Sequence, residues 1–271
     1  MCYKKNKMII VKISGGLGNQ LFQYAFGLFL ENSSKEKVLF DVSFYKKNKE
    51  RKLEIEILIT DRKIEVGIFR KIFFKILNLY YQQENAFTFV DYEKVKSKKY
   101  LDGYWQNINY INPIETDLLK KISILNLNNS EIYSEKNSTS VHIRKADYVG
   151  NEDVNICDRT YFSKAMDLIK SKTGCKTFLI FSDDISEAKE MFLKNELKGC
   201  EIIFIEPQKE NPARDMFSMS LCQNNIISNS TFSWWSAFLN NNDKKIVISP
   251  KVWNRKALNE INLIPKKYIT L

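Results

Sequence analysis

Ser14-Gly15-Gly16-Leu17-Gly18-Asn19-Gln20 is the stretch that decides the fold, read with Met8–Ile13 before it and Leu21–Leu30 after it. Met8–Ile13 is apolar and β-prone, the seven residues are rich in chain breakers, and Leu21–Leu30 supports a helix. Val38–Val42 reads as a second strand, which completes a βαβ unit. Gly16 and Gly18 after a strand, with Asp41 near the end of the next, imitate a dinucleotide fingerprint. The third glycine is missing, because position 21 is leucine, and that glycine serves close helix–strand packing. A nicotinamide or flavin oxidoreductase therefore ranks well behind. No Gly-Lys-Ser/Thr follows either, so the loop is not a P-loop.

Further along, Ile64–Tyr80 places Ile68, Ile72, Phe73, Ile76 and Leu79 at helical spacing, with Arg70, Lys71 and Lys75 elsewhere on the wheel. Packing against the rest of the protein is the commoner fate of such a helix, and docking on an anionic membrane is the sharper one. Asn126–Ser140, rich in Asn, Ser and Thr, reads as a linker between two halves.

A regular alternation follows the linker. Expected strands are Ser140–Ile143, Thr177–Phe181, Ile202–Ile205, Asn225–Ile227 and Lys245–Ile248. Expected helices are Thr160–Ser171, Ser186–Leu197, Ala213–Leu221 and Thr231–Leu239. The fold class is α/β, with two Rossmann-like halves.

In open parallel sheets, ligands bind outside the carboxyl ends of the strands. Those ends carry Arg144 and Asp147, then Asp183 and Asp184, then Ser228, Asn229 and Ser230. Any one set suits a solvated loop or a helix cap, but three recurring sets favour a shared cleft. Ser230, just before the helix beginning at Thr231, suits a phosphate at a helix N-terminus, a plain N-cap, or both. The sole histidine, His142, shares a strand face with Arg144. One histidine and no clustered thiols make a dedicated transition-metal site improbable. Adjacent Trp234 and Trp235 face different ways on a helix, so at least one belongs to the core.

The 271 residues carry 42 Lys+Arg against 32 Asp+Glu, a formal charge of +10 that favours anionic partners without choosing among them. The lysines are scattered rather than set in a stripe, which disfavours a nucleic-acid-binding protein. Five widely spaced cysteines with no CxxC pair suit reduced, structural thiols in a reducing cytosol. Met8–Val11 is too short for a signal-peptide core, and no run approaches the roughly 20 apolar residues that span a bilayer.

Residues 14–27, Ser-Gly-Gly-Leu-Gly-Asn-Gln-Leu-Phe-Gln-Tyr-Ala-Phe-Gly, closely resemble the opening motif of bacterial α-1,2-fucosyltransferases, a glycosyltransferase family 11-like group. His142-Ile143-Arg144-Lys145-Ala146-Asp147-Tyr148-Val149 is similar to that family's basic motif, with Lys145 where a second arginine is usual. Lysine keeps the charge and loses the planar fork. Phe181–Asp184, Asp215–Ser220 and Ile227–Asn240 resemble the remaining motifs, in the family's order.

The resemblance implies a GT-B-like architecture of two Rossmann-like domains facing across a cleft. Residues 1–130 would form the acceptor side and residues 131–271 the GDP-fucose-binding side. It implies inverting, metal-independent transfer of L-fucose from GDP-fucose to the 2-hydroxyl of a terminal β-galactose, with no cofactor. His142 and Asp215 would meet the guanosine end, and Arg144, Ser230 and Thr231 the diphosphate. Asn19 and Gln20 would line the cleft from the N-terminal side, and Lys145, Asp183 and Asn229 would add substrate contacts. Arg144 would stabilise the departing phosphate, with Asp147 as base or as a partner of Arg144. A surface-polysaccharide role in the cytoplasm, peripheral on the inner face of the membrane, fits the cysteines and the basic charge. The alternatives are a fucosyltransferase of another linkage or acceptor, and a noncatalytic sugar-binding module.

Overall fold

The apolar run at the start of the chain forms β1 (Met8–Lys12), and the breaker loop delivers it into α1 (Leu17–Ser34). The computed structural model describes residues 8–48, 50–59, 69–122, 133, 137–145, 150–192, 199–208, 210–257 and 262–271. α1 begins four residues before the expected Leu21, because the Gly16 carbonyl already accepts the Asn19 and Gln20 N–H groups at 2.9 and 3.1 Å. The chain divides into two units, residues 1–125 with 260–263 and residues 126–259 with 264–271.

The first unit is a four-stranded, fully parallel sheet, ordered β2–β1–β4–β3. Its other strands are β2 (Lys37–Asp41), β3 (Tyr80–Gln82) and β4 (Tyr100–Asp102), and its helices α2 (Phe44–Lys47), α3 (Phe69–Ile76), α4 (Tyr92–Val95), α5 (Ile108–Ile111) and α6 (Glu115–Lys121). α1 is buried along most of its length and carries no charged residue before Glu31, as a helix enclosed by the fold must. Gly27 lets it lie close on β2: a Cβ there would stand 2.5 Å from the Phe40 ring. The opposite sheet face packs Ile10, Leu39 and Tyr100 against Phe74 of α3 and Tyr80.

That contact sets which positions of the basic helix face inward. Its inward positions are Lys71 and Phe74, whereas Ile72, Phe73 and Ile76 are 61, 55 and 77% exposed. The start of the expected helix, residues 64–68, lies outside the described residues.

The second unit is a six-stranded parallel sheet, ordered β10–β9–β8–β5–β6–β7. Its elements are β5 (Ser138–Ile143), α7 (Arg159–Thr173), β6 (Thr177–Ser182), α8 (Ile185–Phe192), β7 (Glu201–Ile205), α9 (Pro212–Ser220), β8 (Asn224–Ile226), α10 (Thr231–Leu239), β9 (Val247–Ser249) and β10 (Ile269–Thr270). β5 starts inside the expected linker, and α10 has the expected bounds. The core joins Val141, Ile143, Phe178 and Ile180 to Phe162, Met166 and Ile169 of α7. Trp234 and Trp235 are both fully buried, so the packing reading holds for the pair.

β8 is polar yet central. The Asn225 amide donates to Ser140 Oγ and the Met219 carbonyl, both at 2.8 Å, and Asn224 Oδ1 accepts the Ile246 N–H at 2.9 Å. Buried amides satisfied in this way fix the strand's place between β5 and β9. The helix-and-parallel-sheet pattern of both units is the Rossmann-like arrangement that the sequence led us to expect.

Candidate active site

All the strands of the second unit run parallel, so their carboxyl ends share one edge. The register Ile143↔Ser182 places Arg144 and Asp183 side by side, one residue beyond the paired ends. Arg144 Nη1 stands 3.0 Å from Asp183 Oδ2, and Asp183 Oδ1 accepts the Lys145 backbone N–H at 2.9 Å. One carboxylate thus orients the guanidinium and pins the chain that carries it. Both oxygens of Asp183 are engaged inside the protein, an arrangement that suits a positioning role. Asp184 caps α8, its Oδ1 accepting the Glu187 N–H at 3.0 Å.

Lys145 turns its ammonium to Glu187 Oε1 at 3.3 Å and is only 12% exposed along its side chain. At the position of the second arginine, this chain therefore directs its charge to the first turn of α8. Asp147, expected beside them, lies outside the described residues.

His142, on the edge toward β8, is buried, and its Nδ1 shares a 2.9 Å hydrogen bond with Ser228 Oγ. The Phe232 ring lies 5.5 Å from the imidazole. Burial, and then the neighbouring Arg144 charge, lower the His142 pKa to about 3, so the ring is neutral at physiological pH. From this bonded pair the chain continues to Arg144 on β5's side and to Ser230 on β8's side.

Ser230 is the N-cap of α10, its Oγ accepting the Phe232 N–H at 3.3 Å, with Thr231 half-buried in the first turn. Asn229 is architectural: its amide donates to the Val154 and Trp253 carbonyls at 2.8 and 2.9 Å, and it is 3% exposed. The edge thus presents one oriented guanidinium and one capped helix N-terminus with its partial positive charge, a set suited to phosphate oxygens.

Asp215 lies in the first turn of α9, where its Oδ2 accepts the Gln208 N–H at 3.0 Å. Burial raises its pKa to about 6, against the lowering effects of that hydrogen bond and of Arg214. Cys157 and Cys222 are buried and pushed up to about 12 and about 11, so neither is a thiolate at neutral pH.

In the first unit, Gly15 adopts φ +82°, and a Cβ there would stand 2.8 Å from Asn19 Nδ2. Gln20 is fully buried. Its Nε2 donates to the Gly15 and Lys52 carbonyls, and its Oε1 accepts the Glu54 and Ile55 N–H groups, at 2.9–3.1 Å throughout. With the whole amide engaged, Gln20 shapes the loop. Asn19 is part-exposed, and its Oδ1 accepts the Gln106 Nε2–H at 2.9 Å.

Sequence reasoning missed the partner loop after β4. Trp105 there has φ +55°, is fully buried, and stacks on Phe26 at 3.9 Å between ring centroids. Gln83 Oε1 accepts the Tyr104 and Trp105 N–H groups at 3.0 and 2.9 Å, and Gln23 Nε2 donates to the Gly103 carbonyl at 2.9 Å. A left-handed tryptophan held on all sides is strain that such a fold concentrates at working loops. The available signal was Gly103-Tyr104-Trp105-Gln106 directly after the short segment Tyr100-Leu101-Asp102.

The comparisons agree with this architecture. The model of the family described as "Glycosyl transferase family 11" matches residues 2–268. An Escherichia coli protein named alpha-1,2-colitosyltransferase is 30% identical over 97% of this chain and 99% of its own. The E. coli O-antigen biosynthesis glycosyltransferase WbnK is 31% identical over 89% of this chain and 93% of its own. Among solved structures, the fucosyltransferase NodZ from Bradyrhizobium superposes with a TM-score of 0.51 at 10% identity, over 86% of this chain and 93% of that one. That likeness is one of fold, GT-B-like and α/β. With a family match across nearly the whole length and two full-length relatives, this chain belongs to glycosyl transferase family 11.

Proposed function

We propose that the protein is an inverting transferase that moves L-fucose from GDP-fucose to the 2-hydroxyl of a terminal β-galactose during surface-polysaccharide synthesis. The observation that carries the reading is Arg144, held by Asp183 at the strand edge next to the β8–α10 turn. Cleavage of the sugar–phosphate bond leaves charge on the β-phosphate of GDP. A fixed guanidinium and the N–H groups at the start of α10 would stabilise that charge without a metal ion.

Asp215 would accept the two N–H donors of the guanine edge, and neutral His142 would line the nucleoside end. Residues 131–271 thus bind the nucleotide, and residues 1–130, with Asn19 at their strand edge, receive the acceptor. Single displacement requires the galactose hydroxyl in line with the departing GDP and a base for its proton. Asp147, three residues after Arg144 in the sequence, is the candidate for that base or for a partner of Arg144.

The alpha-1,2-colitosyltransferase relative favours a second reading. Colitose is fucose without its 3-hydroxyl, so the same leaving-group site would serve GDP-colitose while the pocket around sugar carbon 3 would differ. Both readings place the reaction in the cytoplasm, where free thiols persist.

The test is incubation with GDP-fucose and lactose in the presence of EDTA, with GDP release and product linkage read by NMR. A 2-linked α-fucosyl product supports donor, linkage and metal independence together. Turnover of GDP-colitose alone would decide for the second reading. No binding of either nucleotide sugar by folded protein would sink both.

A further inference from the structure

The helix α3 is mounted with Lys71 and Phe74 toward the protein and a row of apolar side chains toward solvent. Lys71 Nζ reaches Asp102 Oδ2 at 2.8 Å, an acid that Lys12 also holds at 3.0 Å and to which the Tyr80 hydroxyl donates at 3.0 Å. Phe74 enters the cluster of Ile10, Leu39 and Tyr100. These contacts fix the rotation of the helix about its axis. They leave Ile72, Phe73, Ile76 and Leu77 outside, between 49 and 77% exposed.

Ile72 and Ile76, and Phe73 and Leu77, are i,i+4 pairs, so the four side chains form one continuous stripe. A soluble surface rarely gathers four large apolar side chains on one short helix without a partner. The rim of the stripe is basic. Lys75 is exposed with its ammonium 4.8 Å from the Tyr80 ring centroid, and Lys98 sits at the far end, donating to Asn78 O and Oδ1 at 2.9 and 3.0 Å. Residues 69–83 contain no acid, within a chain of net charge +10.

We propose that this face is a docking surface for an anionic lipid bilayer, with Ile72, Phe73, Ile76 and Leu77 entering the headgroup–acyl boundary and Lys75 and Lys98 meeting the headgroups. An apolar stripe with a cationic rim is the pattern that partitions into such an interface. A second protein copy would gain nothing from the lysine rim, which would face its own like charges. Attachment through the first unit would hold that unit's strand edge at the surface where lipid-linked acceptors lie. The proposal does not depend on which sugar is transferred.

The test is flotation of the purified chain on a sucrose gradient with vesicles of phosphatidylethanolamine and phosphatidylglycerol in equal parts, against phosphatidylcholine alone. The expected result is co-flotation with the anionic vesicles only, released by high salt. Phe73→Ser with Ile76→Ser should lower the vesicle-bound fraction roughly tenfold or more, since each loses a buried apolar side chain. Lys75→Glu with Lys98→Glu should do likewise. All four positions are on the surface, so thermal melting and transfer to a soluble acceptor should stay at the wild-type level. Absence of flotation, or flotation that survives both double substitutions, overturns the proposal. So does a dimer, seen by light scattering, that the apolar double substitution dissociates in protein that never floats.

Discussion

Asp183 reaches Arg144 with one carboxylate oxygen and the backbone N–H of Lys145 with the other, at 3.0 and 2.9 Å. The pair is part-exposed, so its contribution to stability is small, and its effect lies in aiming the guanidinium. Arg144→Lys keeps the charge and loses the fork, and should lower kcat by roughly 10²–10³-fold with the fold intact. Asp183→Asn should lower kcat by roughly 10–100-fold through misplacement, with Asp183→Glu recovering part of the loss. Steady-state kinetics check this: a rise in KM at constant kcat would mean that Arg144 binds the ground state and the transition state equally.

Asp215 carries a prediction about pH with a definite sign. Its carboxyl is raised to about 6 in the folded chain, so between pH 6 and its ordinary value near 3.8 the native state holds a proton that the unfolded state releases. Stability from this group is therefore gained as pH falls through 6, and above pH 6 the buried charge is a burden. Asp215→Asn should stabilise the apo protein at pH 7–8 by up to about 2–3 kcal/mol and have little effect at pH 4. If the carboxylate recognises guanine, the same change weakens GDP binding by roughly 10–100-fold, and wild-type affinity falls below pH 6. Calorimetry with GDP and melting curves across pH check both halves. Unchanged affinity in the variant removes Asp215 from the nucleotide site.

His142 works in the opposite direction. Its folded pKa of about 3 against an ordinary 6.5 means that the unfolded chain takes up a proton that the native chain refuses. The stability that the neutral ring permits is complete above pH 6.5 and declines as pH falls toward 3, by at most about 1.4 kcal/mol per pH unit. His142→Gln should flatten that slope while losing some stability at pH 7, because the 2.9 Å bond to Ser228 is disturbed. A parallel slope in wild type and variant would show that another group governs acid unfolding.

Much of the second unit was legible because its elements are long enough to show their period. β5 and β6 have six residues each, α7 has fifteen, and the turns after the strands carry the polar residues. What could not be read is which polar group meets which. That Asp183 serves Arg144 depends on the Ile143↔Ser182 register, a fact of strand adjacency rather than local sequence. Likewise, the carbonyls that hold Asn229 and Gln20 lie 24 to 75 residues away and leave no mark in the local sequence. The first unit was harder because β3 and β4 have three residues each, too few for alternation to register. The mounting of α3 was not legible for a related reason: its apolar stripe suits packing inward or docking outward, and the choice depends on Asp102, far along the chain, which captures Lys71.

Gln20 is a demanding structural position. Gln20→Ala leaves the Gly15 and Lys52 carbonyls and the Glu54 and Ile55 N–H groups without their partner, and should destabilise the protein by about 2–4 kcal/mol. Gln20→Glu is no remedy, because a carboxylate can accept from Glu54 and Ile55 but cannot donate to the two carbonyls, and would bury a charge. Melting curves should place both variants well below wild type. A near-wild-type Gln20→Glu would mean that the loop relaxes around the change.

Gln106 separates loop shape from acceptor recognition. Its Nε2–H reaches Asn19 Oδ1 from the strained loop after β4, and its loss leaves a part-exposed amide that water can solvate. Gln106→Ala should therefore change stability by no more than about 1 kcal/mol. Asn19 is then held less firmly, so the KM for the galactoside should rise severalfold while that for GDP-fucose stays fixed. This split is what residues 1–130 predict as the acceptor side. If the nucleotide KM moves instead, the Asn19 edge belongs to the donor, and the division of labour between the two units has to be redrawn.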